Sequence, residues 1–334
     1  MSNRYAELPT GNSNWSSINT WKATTDGATG ASVPISTDNV YVNADSCDTG
    51  ATLTVNAAVN CLDMDWTGAT NTPTLAGTWD INIYGNLTLI AAMNFTNTEN
   101  LNFVANGTVK TITTNGLSLT TLASILIGLD STTTDTWTII GTLNLGSAQV
   151  VVRSGNLTLG TSTINSGAFR RSGTIYPLVV SPDSAVVNCT SFNFSNTTNL
   201  TWSANTATIN VSGTGAFAGG SITTYNNINL NGTAHTITGN NTFAALNFKP
   251  AGAQTITATG TTQTFATMSR TGTGRISIVG GTWVKTGGGV LSFGHLTITD
   301  STASPANTLY AGGGGINGGG NTNWGFIRVG VFHK

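Results

Sequence analysis

The residues best suited to chemistry in this sequence are two aspartates, Asp63 and Asp65, which are separated by Met64. In an extended strand, side chains two positions apart point to the same face, so the two carboxylates would lie side by side. Paired carboxylates act as acid and base in glycoside hydrolysis, and clusters of oxygen ligands can bind Ca²⁺, although no EF-hand loop or Asp-Gly nonapeptide repeat is present. Because Met64 sets the buried face, we expect both aspartates to be solvated surface residues. We therefore predict no catalytic residue, no metal site and no cofactor.

Other patterns with known chemistry are weak. Residues 184–299 contain no Asp or Glu, so a hydrolase that depends on carboxylates could not place its site there. The glycine-rich stretch 213–219 has no helical pattern after it, which favours a turn over a phosphate-binding loop. The histidines and cysteines show no metal-ligand spacing, and Cys47 and Cys61 are expected to be small buried residues rather than a disulfide. Three tryptophans could either stack on bound sugars or fill the core: Trp137, Trp202 and Trp283.

Short segments with two large apolar residues around one polar residue recur along the chain. Alternation of this kind predicts strands with one buried face. Leu87 and Leu101 are 14 residues apart, whereas Ile228 and Leu246 are 18 apart. This drifting period indicates either one strand per coil of a solenoid or one side of a longer coil, and an antiparallel meander or sandwich would give the same pattern. The segments are Leu87-Thr88-Leu89, Leu101-Asn102-Phe103, Leu143-Asn144-Leu145, Leu157-Thr158-Leu159, Leu200-Thr201-Trp202, Ile228-Asn229-Leu230, Leu246-Asn247-Phe248 and Leu296-Thr297-Ile298.

The composition places the chain in the all-β class. Charged residues make up 7% of the 334 residues and hydrophobic residues 39%, and no long run has the 3.6-residue apolar spacing of an amphipathic helix. Since no single short strand can bury its apolar face alone, the strands must stack, and we predict a parallel β-solenoid. We expect an N-terminal cap containing Trp15 and Trp21 in residues 1–35, the solenoid in 36–300, and a glycine-rich loop with a final aromatic strand in 301–334.

Threonine-rich triplets are a further feature of the sequence. Thr-Ile-Thr occurs four times, and in a strand it directs both threonines outward, as in ice-binding solenoids. The triplets begin at Thr111, Thr236, Thr255 and Thr297. Because their intervals are uneven, we expect no regular ladder of threonines and attribute the triplets to the β propensity of threonine.

Charge is distributed unevenly, although the net charge is only −1. Residues 1–150 carry three basic and eleven acidic residues, whereas residues 151–334 carry nine basic and two acidic ones. The two halves are therefore expected to meet different neighbours. Clustered basic residues interleaved with aromatic ones are absent, so no nucleic-acid partner is expected.

The two ends of the chain resemble a known group of proteins. The opening contains Asn14-Trp15-Ser16, then Ala31-Ser32-Val33-Pro34 and Thr37-Asp38-Asn39-Val40, and the closing stretch reads Gly318-Gly319-Gly320-Asn321-Thr322-Asn323-Trp324. These motifs resemble the start and end of tail-fibre-like or β-helical structural proteins of tailed-phage virions. The chain departs from that group at Ala6-Glu7-Leu8-Pro9, where the usual start has Trp followed by Val-Gly-Gly.

This resemblance implies a non-enzymatic structural component of a phage-like virion: a fibre, spike or surface-decoration protein that mediates attachment. A cell-surface β-helical adhesin and a glycan-cleaving tailspike are the alternatives. The implied partners are further copies of the chain in a trimer or multi-copy assembly, other virion proteins and a host-surface glycan, with no membrane span. The N-terminus lacks a signal-peptide pattern, so synthesis in the host cytoplasm and a location in the particle are expected. The residues expected to form the contact between copies are Trp324, Phe326, Val329, Val331 and Phe332.

Overall fold

The computed structural model of the chain is all-β, with 52% of its residues in strands and 2% in helices. Parallel strands stack as coils, about 12 in number, so the predicted β-solenoid is confirmed and the antiparallel alternative is wrong. The structure describes residues 1–104, 107–129, 135–173, 175–203, 205–214, 217–222, 224–249 and 251–326. Two compact units divide the chain: unit 1 is Met1–Ala185 with Thr198–Thr201, and unit 2 is Val186–Thr197 with Trp202–Lys334.

The strands are short, and most are joined by turns. The first twenty are β1 Ser2–Ala6, β2 Gly11–Asn14, β3 Trp21–Lys22, β4 Asp38–Tyr41, β5 Ala51–Val55, β6 Val59–Cys61, β7 Met64–Asp65, β8 Thr74–Gly77, β9 Ile81–Ile83, β10 Leu87–Thr88, β11 Asn94–Asn97, β12 Leu101–Val104, β13 Val109–Thr113, β14 Ser124–Leu129, β15 Thr136–Ile140, β16 Thr142–Asn144, β17 Gln149–Val152, β18 Gly155–Thr158, β19 Thr163–Arg171 and β20 Leu178–Ser181. The others are β21 Val186–Asn193, β22 Leu200–Trp202, β23 Thr208–Val211, β24 Phe217–Ala218, β25 Tyr225–Leu230, β26 Ala234–Thr238, β27 Asn241–Phe248, β28 Gln254–Thr257, β29 Thr262–Arg270, β30 Ile276–Val279, β31 Thr282–Lys285, β32 Leu291–Phe293, β33 Leu296–Thr299, β34 Thr302–Ser304, β35 Leu309–Ala311, β36 Ile316–Asn317 and β37 Gly325–Phe326. Two single 3-10 turns, Ile18–Thr20 and Ala44–Ser46, interrupt the first coils.

Unit 1 is built from three parallel sheets, and each coil contributes strands to them in turn. One sheet runs in the order β1-β4-β7-β10-β13-β15-β18-β20, a second in the order β2-β5-β8-β11, and a third includes β6-β9-β12-β14-β17-β19. In the first sheet Leu87 lies opposite Met64 on one side and Ile112 on the other. All three side chains are 0–1% exposed, so the apolar rows form the core between the sheets.

Unit 2 repeats the arrangement with different strand lengths. Its longer strands pair in the order β21-β23-β25-β27-β29-β31-β34, and a second series runs β24-β26-β28-β30-β33-β36. A short third sheet has the order β32-β35-β37. Ile209, Ile228 and Leu246 lie opposite one another and are at most 2% exposed.

The 14-residue step in the sequence is not the length of a coil. Leu87 lies in β10 of the first sheet and Leu101 in β12 of the third, so the step joins two sides of one coil. The true register partner of Leu87 in the next coil is Ile112, 25 residues on. In unit 2 the partner of Ile228 is Leu246, 18 residues on, so the interval that broke the apparent period is itself a coil length. Of the two solenoid alternatives, the longer coil is confirmed.

The N-terminal residues close the end of the first sheet. Trp15 and Trp21 are 0% exposed and pack edge to face with ring centroids 5.0 Å apart. Trp21 Nε1 donates a hydrogen bond of 2.7 Å to the carbonyl of Trp15. Strand β3 pairs antiparallel with β1 at the sheet edge, which covers backbone groups that a parallel coil would otherwise leave open.

Parallel strand pairing begins before residue 36 and continues beyond residue 300, the two boundaries expected for the solenoid. Strand β1 already pairs in parallel with β4, with Ser2 opposite Asp38. At the other end, β33 pairs with β36 and β35 with β37. Coil geometry therefore extends into both terminal segments.

Asparagines of successive coils form hydrogen-bonded rows, and Asn229 and Asn247 in these rows are the central residues of two recurring segments. In unit 2, Asn210 Nδ2 donates to Asn188 Oδ1 at 2.7 Å, Asn229 to Asn210 at 2.6 Å, and Asn247 to Asn229 at 3.0 Å. Unit 1 has a shorter row of the same kind through Asn82. Each such bond contributes about 0.5–1.5 kcal/mol, and the row favours the one register in which the amides meet.

One ion pair lies inside unit 1. Lys110 and Asp135 form a salt bridge with side chains 1% and 0% exposed, and Lys110 Nζ lies 4.8 Å from the ring centroid of Trp137. Burial lowers the pKa of Lys110, and the hydrogen bond and charge of Asp135 oppose that shift. Asp135 Oδ1 also accepts hydrogen bonds from the N–H groups of Gly107 and Thr108, so the pair ties a turn to the core.

The inward rows should determine stability. Leu87→Ala, Leu157→Ala and Ile228→Ala are each expected to lower the free energy of unfolding by about 2–5 kcal/mol, because each deletes a buried side chain from a packed row. Chemical denaturation measures the change. The matched control is Thr88→Ala on the outer side of β10, which should change it by less than about 0.5 kcal/mol. Equal effects of Leu87→Ala and Thr88→Ala would show that the assigned core rows do not hold the coils together.

The buried ion pair should be far more sensitive than a surface pair. Lys110→Met is expected to destabilise the chain by about 3–5 kcal/mol, since it leaves Asp135 as an uncompensated buried charge. The control is Lys22→Met, which breaks the partly exposed pair with Glu7 and should cost at most about 1 kcal/mol. Urea unfolding of both variants tests this, and a loss as small for Lys110→Met as for Lys22→Met would contradict it.

Candidate functional site

A polar groove of about 290 Å³ opens on the outer side of the first sheet of unit 1. Strands β4, β7, β10 and β13 form its floor. Most of the lining residues are partly exposed ones in or beside these strands, although the buried Met64 also borders the groove. Register places side chains of successive coils beside one another, about 4.8 Å apart. The lining residues are Tyr41, Asp63, Met64, Asp65, Asn86, Thr88 and Thr111.

Asp63 begins a chain of hydrogen bonds across three coils. Its Oδ1 accepts bonds from the backbone N–H of Asn86 at 2.6 Å and from Asn86 Nδ2 at 3.1 Å. Asn86 Oδ1 in turn accepts from the Thr111 N–H at 2.8 Å and from its hydroxyl at 3.1 Å. Gly85 is required here, because a Cβ at this position would lie 2.1 Å from Asp63 Oδ1.

Asp65 accepts hydrogen bonds from the following turn rather than from the next coil, and like Asp63 it uses only Oδ1. Its Oδ1 accepts bonds from the Thr67 N–H at 2.8 Å and the Thr67 hydroxyl at 2.5 Å, which fixes the turn after β7. Within the described part of the chain, no hydrogen bond is donated to Oδ2 of Asp63 or of Asp65. Both Oδ2 atoms can therefore accept a hydrogen bond from a ligand.

Tyr41 adds a ring and a hydroxyl to the groove. Its ring stacks on that of Tyr5, with centroids 5.3 Å apart and planes 23° from parallel. The pKa of Tyr41 is raised, mainly by burial and further by the nearby Asp63, Tyr5 and Asp65. The phenol therefore stays protonated at neutral pH and can donate a hydrogen bond.

The sequence singled out the two aspartates but missed Tyr41 and Asn86. Both aspartates are partly exposed while Met64 is 1% exposed, which confirms the predicted side of the strand. Tyr41 lies opposite Asp65, and Tyr5 opposite Tyr41. These residues are far apart along the chain, so only the coil register could have brought them together.

Two of the three tryptophans considered for glycan contact lie in the core. Trp137 and Trp283 are 0% exposed and offer no ring face to a sugar, so for them the core interpretation is correct. Trp202 is partly exposed and forms T-shaped ring contacts with Phe192 and Phe194, so its contact with a glycan stays a prediction.

The predicted contact segment is only partly described. Trp324 is 8% exposed, and its Nε1 donates a bond of 3.1 Å to the Ser301 hydroxyl. Phe326 is partly exposed in β37, which pairs with β35. Val329, Val331 and Phe332 lie outside the described residues. Trp324 thus packs on its own unit, and the contact between copies stays a prediction.

Metal and thiol chemistry have no visible centre in the described residues. No group of three or more His, Cys, Asp or Glu side chains in that part of the chain is placed to hold a metal ion. Cys47 and Cys61 are buried and form no disulfide, which confirms their interpretation as small buried residues, and Cys189 is buried as well. Among the same residues, no helix has the length and apolar character needed to cross a membrane.

His235 is a core residue of unit 2. It is 1% exposed, and its Nε2 accepts a hydrogen bond of 3.0 Å from the Gly232 N–H. Burial lowers the pKa of His235 to about 4, and the bond that Nε2 accepts requires this nitrogen to be unprotonated. The imidazole ring of His235 is therefore neutral in the folded state at neutral pH.

Comparison with known proteins gave no match among family models, curated proteins or solved structures. The geometry of the groove and the resemblance of the chain ends are therefore what a functional proposal can rest on.

Acid should destabilise the chain through His235. Folding lowers the pKa of His235 to about 4 from an ordinary value of 6.5. Between pH 6.5 and pH 4 the unfolded state therefore binds a proton at this ring that the folded state does not. This contribution to stability is complete above pH 6.5 and is lost as the pH falls towards 4. Denaturation series at several pH values should show a shallower loss for His235→Gln than for the parent. An unchanged pH dependence in the variant would assign the acid sensitivity to other groups.

Proposed function

We propose that the chain is a non-enzymatic structural protein of a phage-like particle that attaches to a surface by binding glycan in the groove around Tyr41. The observation that carries the glycan assignment is the stacked Tyr5–Tyr41 pair, which lies beside two carboxylates with free Oδ2 atoms. The particle assignment rests on the resemblance of the opening and closing motifs to tail-fibre-like virion proteins. The stacked coils are compatible with that role.

The chemistry of the groove suits a sugar. Sugar rings present hydroxyl groups at their edges and C–H groups on their faces, and aromatic rings pack well against such C–H faces. The protonated Tyr41 hydroxyl can donate, while Oδ2 of Asp63 and Oδ2 of Asp65 can accept. Hydrogen bonds to charged groups are the stronger ones, so the two carboxylates would fix the orientation of the ring on Tyr41.

The same details favour binding over cleavage. Acid and base residues of glycoside hydrolases lie in contrasting surroundings, so that one is protonated while the other is ionised. Asp63 and Asp65 instead have similar surroundings: both are partly exposed, and each Oδ1 accepts a backbone N–H. We therefore assign them to recognition and to turn geometry.

A glycan-cleaving enzyme and a cell-surface adhesin are the two alternative functions. A glycan-cleaving tailspike is favoured by the adjacent carboxylates in one groove, and it predicts release of shorter chains from a polysaccharide. A cell-surface adhesin would bind glycan through the same groove but would not be part of a particle. The proposed partners are further copies of this chain, other virion proteins and a host-surface glycan.

Two variants separate the role of the ring from that of the charge. Tyr41→Ala should abolish binding to purified bacterial surface polysaccharide, because it removes both the stacking face and the phenol. Asp63→Asn with Asp65→Asn should retain binding at lower affinity, because the ring and phenol of Tyr41 remain. Each amide oxygen stays with the backbone N–H that bound Oδ1, so an NH2 group replaces the Oδ2 acceptor. Biolayer interferometry on immobilised polysaccharide measures both.

The control for that pair is Tyr176→Ala, a tyrosine of unit 1 outside the groove lining. Size-exclusion chromatography of the polysaccharide, before and after incubation with the protein, detects cleavage. Depolymerisation that is lost in the double Asp variant would replace the binding role with a hydrolase. Unchanged binding by Tyr41→Ala would remove the groove as the glycan site.

A further inference from the structure

In unit 2, the outer side of the strand series β21-β23-β25-β27-β29-β31-β34 carries a regular array of hydroxyl groups. Each of two parallel rows runs through four successive coils, and in the three coils that they share the second row lies two residues further along the strand. We call these eight positions the threonine face. The first row is Thr262, Thr282, Thr302 and Thr322, and the second is Thr242, Thr264, Val284 and Ser304.

The threonine face has a uniform chemistry. Six of its eight residues are threonine, with one serine and one valine, and none is charged. Seven of the eight are partly exposed and Thr322 is exposed. A threonine presents a methyl group beside its hydroxyl, so the face alternates small apolar and polar groups on one surface.

The hydroxyls of this face are available to an outside partner. Elsewhere in unit 2, threonine hydroxyls are bound to backbone carbonyls, as in Thr261 to Ala258 at 2.7 Å and Thr286 to Phe265 at 3.2 Å. Within the described residues, no side-chain hydrogen bond occupies a hydroxyl of the threonine face.

The array is held rigidly from below. The inward residues between the two rows, Gln263, Trp283 and Ala303, are each 0% exposed and lie opposite one another in register. Backbone bonds of 2.9 Å join Thr282 N to Thr261 O and Thr302 N to Gly281 O. Because β-branched side chains have few χ1 choices, the hydroxyls and methyls repeat with little freedom.

The repeat has two spacings. Neighbouring coils are about 4.8 Å apart, and residues two positions apart on a strand are roughly 7 Å apart. The two directions are nearly perpendicular. Both distances are close to repeats between oxygen atoms on the prism faces of hexagonal ice.

We propose that the threonine face binds ice. Hydroxyls at the lattice spacing can hydrogen-bond water molecules, and the methyls between them order the adjacent water without competing for it. Charged side chains would hold strongly oriented hydration shells that do not match the lattice, and this face has none. A single oligosaccharide fits less well, because the face has no exposed aromatic ring and repeats in two directions, as a crystalline ligand does.

The Thr-Ile-Thr triplets themselves form no regular ladder of threonines, as the uneven intervals predicted. Thr255 lies opposite Ala234 on one side and Ser277 on the other, and Ser277 separates it from Thr297. The threonine face has an even 20-residue interval from Thr262 to Thr322, and none of its threonines belongs to a Thr-Ile-Thr triplet.

The test is ice affinity of the full-length protein. The unmodified chain should partition into slowly growing ice and inhibit ice recrystallisation. Thr282→Lys and, independently, Thr302→Lys should lose both effects, because each puts a mobile charge in the middle of the face. The matched control is Ser277→Lys on the neighbouring side, which should keep both. Thermal unfolding of all four proteins shows whether each variant is folded.

Several outcomes would overturn the proposal. Exclusion of the unmodified chain from ice would do so, as would equal loss in Ser277→Lys and Thr282→Lys while both remain folded. Binding to insoluble cellulose or chitin that is lost in Thr282→Lys, without ice affinity, would instead make this face a polysaccharide surface. The groove around Tyr41 belongs to unit 1, so Tyr41→Ala should leave ice affinity unchanged whatever its effect on glycan binding.

Discussion

Every coil depends on the next one for the hydrogen bonds of its backbone. The strands are two to nine residues long. Apart from the antiparallel pair of β1 with β3, the described strands pair in parallel with strands of neighbouring coils, which satisfies their backbone N–H and C=O groups. That pairing fixes the register, and register places one apolar side chain on another, as with Met64, Leu87 and Ile112. A slip of one residue would turn the whole inner row to solvent. The core and the backbone pairing therefore stabilise each other.

Polar residues within or along the stacked coils reinforce this register. The asparagine row through Asn210 and Asn229 forms its amide bonds only when the coils are aligned. Lys110 and Asp135 add a buried charge pair that also binds a turn. A buried polar group is costly unless it is satisfied, so each of these contacts disfavours alternative registers more strongly than an apolar residue would.

Register also decides the chemistry of the outer surface. Each outward position is repeated in the next coil about 4.8 Å away, so a row takes the character of the residues that happen to align. In unit 1 an aligned tyrosine, aspartates and an asparagine produce a groove with a ring, a donor and two free acceptors. In unit 2 aligned threonines produce an uncharged array of hydroxyl and methyl groups. The same backbone architecture thus supports two different binding chemistries.

The sequence by itself determined which side of each strand faces the core. Alternation assigned Leu87, Leu157 and Ile228 to the interior and Asp63 and Asp65 to the surface, because period two is a property of the strand alone. The stacking of coils followed from the same pattern, since isolated strands cannot bury their apolar side.

Only the tertiary structure decided which strands are neighbours. Turn lengths vary at small entropic cost, so the interval in sequence does not give the coil length, and the 14-residue step proved to join two sides of one coil. The meeting of Tyr41 with Asp65, the alignment of Thr262 with Thr282, and the burial of Trp137 all depend on that choice of neighbours. The sequence contains these residues, but contacts between coils give them their roles.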